Sequence, residues 1–173
     1  MRRVDILRSQ RLAGQVERYH TWPVIRRQSV AEHSWQVMRV WVQIYGDLRA
    51  DVANYILWHD VGELVTGDLP FPIKRNSSTL KEIMDDLEFK ARDEMRVPYT
   101  NIMESDRNRV RICDLVEMYE FGVYELMMGN TFGGPIMTDT RDEINKMVEY
   151  LPEKEKVKDH MYTVSRHLLR SKL

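Results

Sequence analysis

Apolar residues recur at helical spacing along the whole of this 173-residue chain, in runs broken by short Gly, Pro and Asn stretches, and no run alternates as a strand would. The pattern predicts an all-α fold. Ser29 and Glu32 have the S-x-x-E form of a capping box, in which each side chain accepts a backbone N–H that the first helical turn leaves over. A helix is therefore expected from about Val30 to Tyr45, ending at Gly46. A second, from about Asp51 to Val65, puts Val52, Tyr55, Ile56 and His59 on one apolar face at i, i+3, i+4 and i+7, and Gly67 stops it. Leu69-Pro70-Phe71-Pro72 cannot be helical, because each proline disfavours α geometry in the residue before it, so a stiff loop should display Asp68.

Further along, Thr79 and Glu82 suggest a capped start for a charged helix to about Met95, followed by a connection through Pro98. A long helix from about Ser105 to Met128 ends at Gly129. It carries Ile112, Leu115, Val116 and Tyr119 as one stripe with Asp114 beside them, and Asp106, Arg107 and Arg109 at an exposed start. Helices over roughly Asp139 to Tyr150 and Glu153 to Leu169 complete the pattern, divided by Pro152. Gly129 through Pro135 reads as a loop, either mobile or packed on another subunit.

Composition adds limits rather than direction. The length suits one domain over residues 1–173 with a single core. With 43% hydrophobic and 31% charged residues, and 26 basic against 27 acidic side chains, the chain has the balance of a globular protein and no global field that would draw a nucleic acid polymer or a membrane. Cys113 stands alone and lies in an apolar stretch, so it reads as packing and no disulfide demands an oxidising compartment. No apolar stretch approaches the ~20 residues of a membrane span, and none follows the early positive charge of Met1 to Asp5 as a signal would. The expected location is the cytoplasm, that of the host if the chain is of phage origin.

Chemistry concentrates in one constellation. His59-Asp60 ends an apolar helical run, His33 lies one turn into the preceding helix, and Glu63, Asp68 and Asp114 follow. Should the first two helices pack antiparallel, His33 and the pair meet at one end, and Asp114 on a third helix can add a carboxylate. Burying several ionisable groups is expensive unless something pairs them, which favours a bound cation over plain packing. Imidazole nitrogen with carboxylate oxygen suits Mn²⁺, Fe²⁺, Co²⁺, Ni²⁺ or Zn²⁺ better than Ca²⁺, leaves Mg²⁺ open, and lacks the thiolates of a closed structural zinc site. Each group also has a plainer reading: a hydrogen-bonded core histidine or aspartate, a solvated helix-end Glu63, a loop or capping Asp68.

The order His33, His59-Asp60, Asp114 resembles the H…HD…D signature of the HD-domain superfamily of metal-dependent phosphohydrolases. Arg18, Ser29-Val30-Ala31-Glu32-His33-Ser34, His59-Asp60-Val61-Gly62-Glu63 and Thr66-Gly67-Asp68-Leu69-Pro70-Phe71-Pro72-Ile73-Lys74 look like the bacterial YfbR-type 5′-deoxynucleotidases, and equally like the small phage-type deoxynucleoside triphosphohydrolases. The resemblance runs from about Arg18 to Asp114. It implies a helical bundle, one divalent ion bound by His33, His59, Asp60 and Asp114, and hydrolysis of a nucleotide phosphate in a homo-oligomer. It further implies Glu63 as the group that orients and deprotonates water, Asp68 for leaving-group protonation or sugar contact, and Arg18 for phosphate, with Lys74 a weaker candidate for the same duty.

The tract after Arg18 departs from the nucleotidase branch, which usually has Trp next, whereas here Tyr19 takes that place. Tyr19, Trp22 and Ile25 either line a base pocket or, for Trp22 and especially Ile25, pack in the core. His20 either bonds phosphate or sugar or is an ordinary exposed imidazole. Arg26 and Arg27 add positive charge that would serve three phosphates. The expected activity is hydrolysis of a dNTP, leaning to dATP, with release of the deoxynucleoside; the alternatives are release of orthophosphate from a dNMP, or nucleotide binding without catalysis.

Overall fold

Helix α2 (Val30–Tyr45) shows how the chain builds its interior. Val30, His33, Ser34, Val37, Val40, Trp41 and Ile44 recur at three- and four-residue spacing, and every one of them is buried. Such a stripe commits one face to the core, and His33 is a polar member of that row. The Ser29 half of the expected cap is present, with the Glu32 N–H donating to Ser29 Oγ at 3.2 Å, and Gly46 leaves the helix at φ +89°. Only glycine enters that region without strain.

The computed structural model describes residues 3–68 and 77–170; Lys74 and the expected Leu69-Pro70-Phe71-Pro72 loop lie outside the described residues. The other helices are α1 (Arg3–Ala13), α3 (Ala50–Trp58), α4 (Glu63–Thr66), α5 (Ser78–Glu94), α6 (Glu104–Met127), α7 (Gly133–Val148) and α8 (Lys154–Arg170). The all-α expectation holds, with one addition. Strands β1 (Glu17–Arg18) and β2 (Gln28–Ser29) pair antiparallel, Glu17 opposite Ser29 and Arg18 opposite Gln28. Two residues per strand are too few to show alternation in a sequence. Among the described residues no helix is long and apolar enough to cross a membrane.

The chain forms two compact units. The first comprises residues 1–23, 27–35 and 54–101, the second residues 24–26, 36–53 and 102–173. In the first, Ala13, Val61, Ala91 and Met95 form a buried cluster joined by Trp58, Leu64 and Val97. Here the expected helix to Val65 divides. It stops at Trp58, and His59 to Gly62 form turns before α4. The Ile56 carbonyl, which would accept the next helical bond, instead takes the His59 Nδ1–H at 2.5 Å and the His59 N–H at 3.4 Å. A side chain thus competes for the helix's own acceptor. Gly62 fits because a Cβ there would lie 2.6 Å from Glu88 Cβ and 2.8 Å from Glu88 Cα. Helix α5 also begins earlier than expected. Ser77, not Thr79, is its cap, accepting the Leu80 N–H at 3.2 Å from an extended backbone.

In the second unit α6 is buried on nearly every face, including Asp106, Glu117, Glu120 and Glu125. The expected exposed start is wrong for Asp106, which is fully buried. Arg49 reaches it at 2.6 Å and Arg109 at 3.4 Å, and this pairing makes its burial tolerable. Arg49 also bonds Asp51 and holds that carboxyl below its usual range. Glu120 is bound by Arg39 and by His160 Nε2.

Helix α7 starts at Gly133, six residues before the expected Asp139, so the loop is shorter than Gly129 through Pro135. Gly133-Gly134-Pro135 reads as a linker, yet a proline in a first turn lacks only an N–H that had no helical partner. The glycines let two backbones touch. A Cβ on Gly122 would meet Met137 N at 2.7 Å and Gly133 O at 2.8 Å, and one on Gly133 would meet Gly122 O at 2.5 Å.

Tyr45, at the end of α2, lies under the Arg109 guanidinium at 5.5 Å, and its buried Oη has no hydrogen-bond partner. Burial pushes the phenol well above its ordinary range, with Cys113 and Glu153 adding to the shift and Arg109 opposing it. The folded phenol therefore stays neutral where the unfolded chain's ionises, near pH ~10. Its contribution to stability is intact below that value and is lost as pH rises towards the folded pKa. Tyr45→Phe should match or exceed the parent by up to about 1 kcal/mol at neutral pH, since an unbonded buried hydroxyl is removed. It should also make the loss of stability above pH ~10 shallower, as read by denaturant unfolding at both pH values.

Candidate functional site

The ends of three segments of the first unit converge: the start of α2, the turn after α3, and β1. His33 Nε2 lies 3.5 Å from Asp60 Oδ2, and His59 Nε2 lies 3.3 Å from the same oxygen. Arg18 Nη1 donates to that oxygen at 2.8 Å. The two imidazole rings stand 5.4 Å apart, inclined by 41°. One ligand atom from each of His33, His59 and Asp60 lies within 4.8 Å of the other two, a spacing that can hold a metal ion.

The local chain explains the convergence. His33 is carried inward by the apolar stripe of α2, and Val61, locked into the Ala13–Ala91–Met95 cluster, anchors the turn that presents His59 and Asp60. The turn carries three-residue bonds from Val61 N–H to Trp58 O at 3.4 Å and from Glu63 N–H to Asp60 O at 3.0 Å. A continuous helix would send consecutive side chains about 100° apart, and the turn is what aims both neighbours at one point.

Protonation geometry favours a cation. His59 Nδ1–H is spent on the Ile56 carbonyl, which leaves Nε2 as the lone-pair nitrogen, and that atom is buried without a hydrogen-bond partner. This is the tautomer that binds metals, with the other ring nitrogen held by a backbone carbonyl. Coordination bonds of about 2.1 Å separate neighbouring donors by about 3 to 3.5 Å, in keeping with the observed spacings. The residues present therefore fit a divalent ion.

Around this centre, Glu63 opens α4 and is buried. Tyr19 has φ +58°, rare for a side chain of its size, and its N–H donates to Asp68 Oδ2 at 2.8 Å while its carbonyl accepts the Trp22 N–H at 2.9 Å. The two bonds hold this strained residue in place. The Arg18 guanidinium lies 5.7 Å over the Tyr19 ring. Asp68 thus has a backbone duty that its loop position alone did not reveal.

Other expected site residues fall elsewhere. His20 is exposed and Trp22 half-buried. Ile25 is 59% exposed, which overturns a core role. Ile25 and Arg26 belong to the second unit, where their N–H groups donate to Glu125 at 2.8 and 3.0 Å. Asp114 sits half-buried on α6 in that unit. Arg27 is paired with Glu17, so its charge is partly neutralised. Sequence reasoning missed the buried Gln28, opposite Arg18 in the ribbon, and the buried Glu125, and for neither does the sequence carry a signal.

Similarity to known proteins extends the picture. The model of the 5′-deoxynucleotidase YfbR-like family matches residues 10–166. A dATP triphosphohydrolase of Salmonella phage PMBT28 is 33% identical over 65% of this chain and 61% of its own length. A 5′-deoxynucleotidase of Pasteurella multocida (strain Pm70) is 27% identical over 66% of this chain and 71% of its own. The chain thus spans about three-fifths of the phage relative it matches. The solved structure of the cyanophage S-2L HD phosphohydrolase DatZ, bound to dA and one catalytic Zn²⁺ ion, aligns with a TM-score of 0.70 and 19% identity over 94% of this chain and 96% of that one. At that identity the likeness shows the fold.

Replacing His59 with Ala should lower affinity for Mn²⁺ at least about 100-fold in calorimetric titration, since a candidate ligand and the Ile56 carbonyl contact that orients its ring are lost together. Asp60→Asn should weaken binding by a similar factor. Full-affinity binding by both variants would mean that the ion sits elsewhere.

Proposed function

The chain belongs to the YfbR-like 5′-deoxynucleotidase family, and from that membership we propose that it is a metal-dependent hydrolase of deoxynucleotides, acting on a dNTP of the dATP type and releasing the deoxynucleoside. The observation that carries the reading is the convergence of His33, His59 and Asp60 with a buried, lone-pair His59 Nε2. The triphosphate substrate is supported by similarity to the phage dATP triphosphohydrolase and by Arg26 beside the Arg18–Trp22 tract in sequence. The pairing of Arg27 with Glu17 removes part of the charge argument. Release of orthophosphate from a dNMP is the second reading, favoured by the family itself and by the Pasteurella relative.

His33, His59 and Asp60 would hold one divalent ion, and Asp114 is proposed as the fourth ligand from the order of the family motif. When bound, such an ion lowers the pKa of water and screens phosphate charge. Glu63 takes a proton from the attacking water as the new P–O bond forms at the α-phosphorus and the bond to the 5′-oxygen breaks. The leaving 5′-oxygen acquires a proton and departs as the nucleoside hydroxyl. Arg18, held beside the centre by Asp60, pairs with a phosphate oxygen. Asp68 already supports Tyr19 through its backbone, and we assign it sugar contact ahead of proton donation.

Tyr19 and Trp22 are proposed to face the nucleoside, with Ile25, His20 and Lys74 as lesser contacts. A homo-oligomer and a cytoplasmic setting, without a nucleic acid polymer or membrane as partner, complete the reading.

Incubation of the protein with dATP and with dAMP, in Mn²⁺, Co²⁺ or Mg²⁺, should yield tripolyphosphate from dATP. Orthophosphate from dAMP alone would assign the chain to the monophosphate reaction. Glu63→Ala should keep nucleotide binding and lower kcat at least about 100-fold, as expected for loss of a general base. Nucleotide binding by the parent protein with no turnover at all would instead identify a binding module.

A further inference from the structure

The oxygen that gathers the two imidazoles is also bound by a cation of the chain itself. Arg18 Nη1 donates to Asp60 Oδ2 at 2.8 Å, and His33 Nε2 and His59 Nε2 lie 3.5 and 3.3 Å from that same atom. All four residues belong to the first unit. The Arg18 side chain is 7% exposed and that of Asp60 20%, so water and salt screen the pair weakly.

A carboxylate oxygen has two lone pairs, so Asp60 Oδ2 has room for a guanidinium N–H and for a metal bond. Charge decides how well they coexist. A dication ligated by this oxygen is separated from the guanidinium N–H by a single atom, and the two positive charges repel. The hydrogen bond also draws electron density from the donor oxygen. Against this, Arg18 steadies the carboxylate, and loss of such an outer partner ordinarily weakens metal binding by about 10- to 100-fold. Here the backbone at Asp60 is fixed by other means. The Glu63 N–H donates to Asp60 O at 3.0 Å, and Val61, the next residue, is buried in the Ala13–Ala91–Met95 cluster. Repulsion therefore outweighs support.

We propose that Arg18 holds down the metal affinity of the His33–His59–Asp60 cluster, and that a phosphate group paired with the guanidinium relieves this restraint, so that cation and phosphate each tighten the other's binding. The inference rests on the deoxynucleotide reading, in which Arg18 pairs with phosphate. It adds a coupling between the two ligands that is reciprocal by linkage.

Calorimetric titration with Mn²⁺ alone reads the restraint without turnover. Arg18→Gln removes the charge and keeps an amide N–H, and it should bind Mn²⁺ roughly tenfold more tightly than the parent. Arg18→Lys keeps the charge and should stay within about threefold of the parent. Saturating inorganic phosphate stands in for the phosphate group and is not hydrolysed. It should raise the parent's Mn²⁺ affinity by a factor at least about fivefold larger than the factor for Arg18→Gln.

Weaker Mn²⁺ binding by Arg18→Gln at a parent-like melting temperature would make Arg18 a support for Asp60 and overturn the restraint. Parent-like Mn²⁺ affinity in that variant would show that the charge is not felt at the cluster, with the same consequence. An equal gain from phosphate in parent and variant would overturn the coupling through Arg18. If Arg18→Gln does not fold, Arg18→Met, which keeps the stem without the charge, decides by the same titrations. Turnover of dATP or dAMP by the parent, measured beside them, leaves the deoxynucleotide reading standing whichever way Arg18 behaves. Absence of Mn²⁺ binding by the parent would remove the metal reading, and the inference with it.

Discussion

One carboxylate oxygen organises the first unit. Asp60 Oδ2 is approached by the Arg18 guanidinium and by the Nε2 atoms of His33 and His59, three nitrogens from three separated stretches of chain. Such a cluster is expensive to assemble away from water unless its charges and lone pairs are all used. The apolar stripe of α2 and the Val61 cluster meet that cost, because each drives a polar side chain inward along with its apolar neighbours.

The turn at His59 is where backbone and chemistry meet. By giving its Nδ1–H to the Ile56 carbonyl, His59 both fixes its own tautomer and takes the acceptor that would have carried α3 onward. Loss of helical regularity is therefore tied to the orientation of the lone pair. Tyr19 follows the same logic at the other side of the centre, where a left-handed backbone is held by Asp68 and beneath the arginine that it follows in sequence. Unfavourable local conformations collect where side chains must converge, as is usual for sites that act on ligands.

The second unit buries charge for a different end. Asp106 with Arg49 and Arg109, Glu120 with Arg39 and His160, and Glu125 with the Ile25 and Arg26 N–H groups each place a carboxylate of α6 against a donor from a distant segment. Such pairs add little net stability against apolar replacements, yet each is satisfied in only one register. They specify how α6 meets its neighbours, while Gly122 and Gly133 set the close approach to α7.

Much of this was legible in residue order. The 3.6-residue period, the Ser29 cap and the exits at Gly46, Gly67 and Gly129 are local properties, written in propensity and backbone sterics, so the helices expected from them lie within a residue or two in most places, although α1 was not among them. His33, His59 and Asp60, candidate metal donors on the family resemblance, are groups whose ligand atoms the fold gathers within 4.8 Å of one another. What depended on contacts between distant residues was hidden: the break after Trp58, the burial of Asp106, the early start of α7, the two-residue ribbon that sets Gln28 beside Arg18, and the anchoring of Tyr19 by Asp68. Sequence alone determined which chemical groups this protein carries and on which helices they ride, because periodicity is a short-range property. Only the tertiary structure decided which lone pair of His59 is left for a ligand and which charges are neutralised, because those outcomes depend on neighbours that arrive from far along the chain.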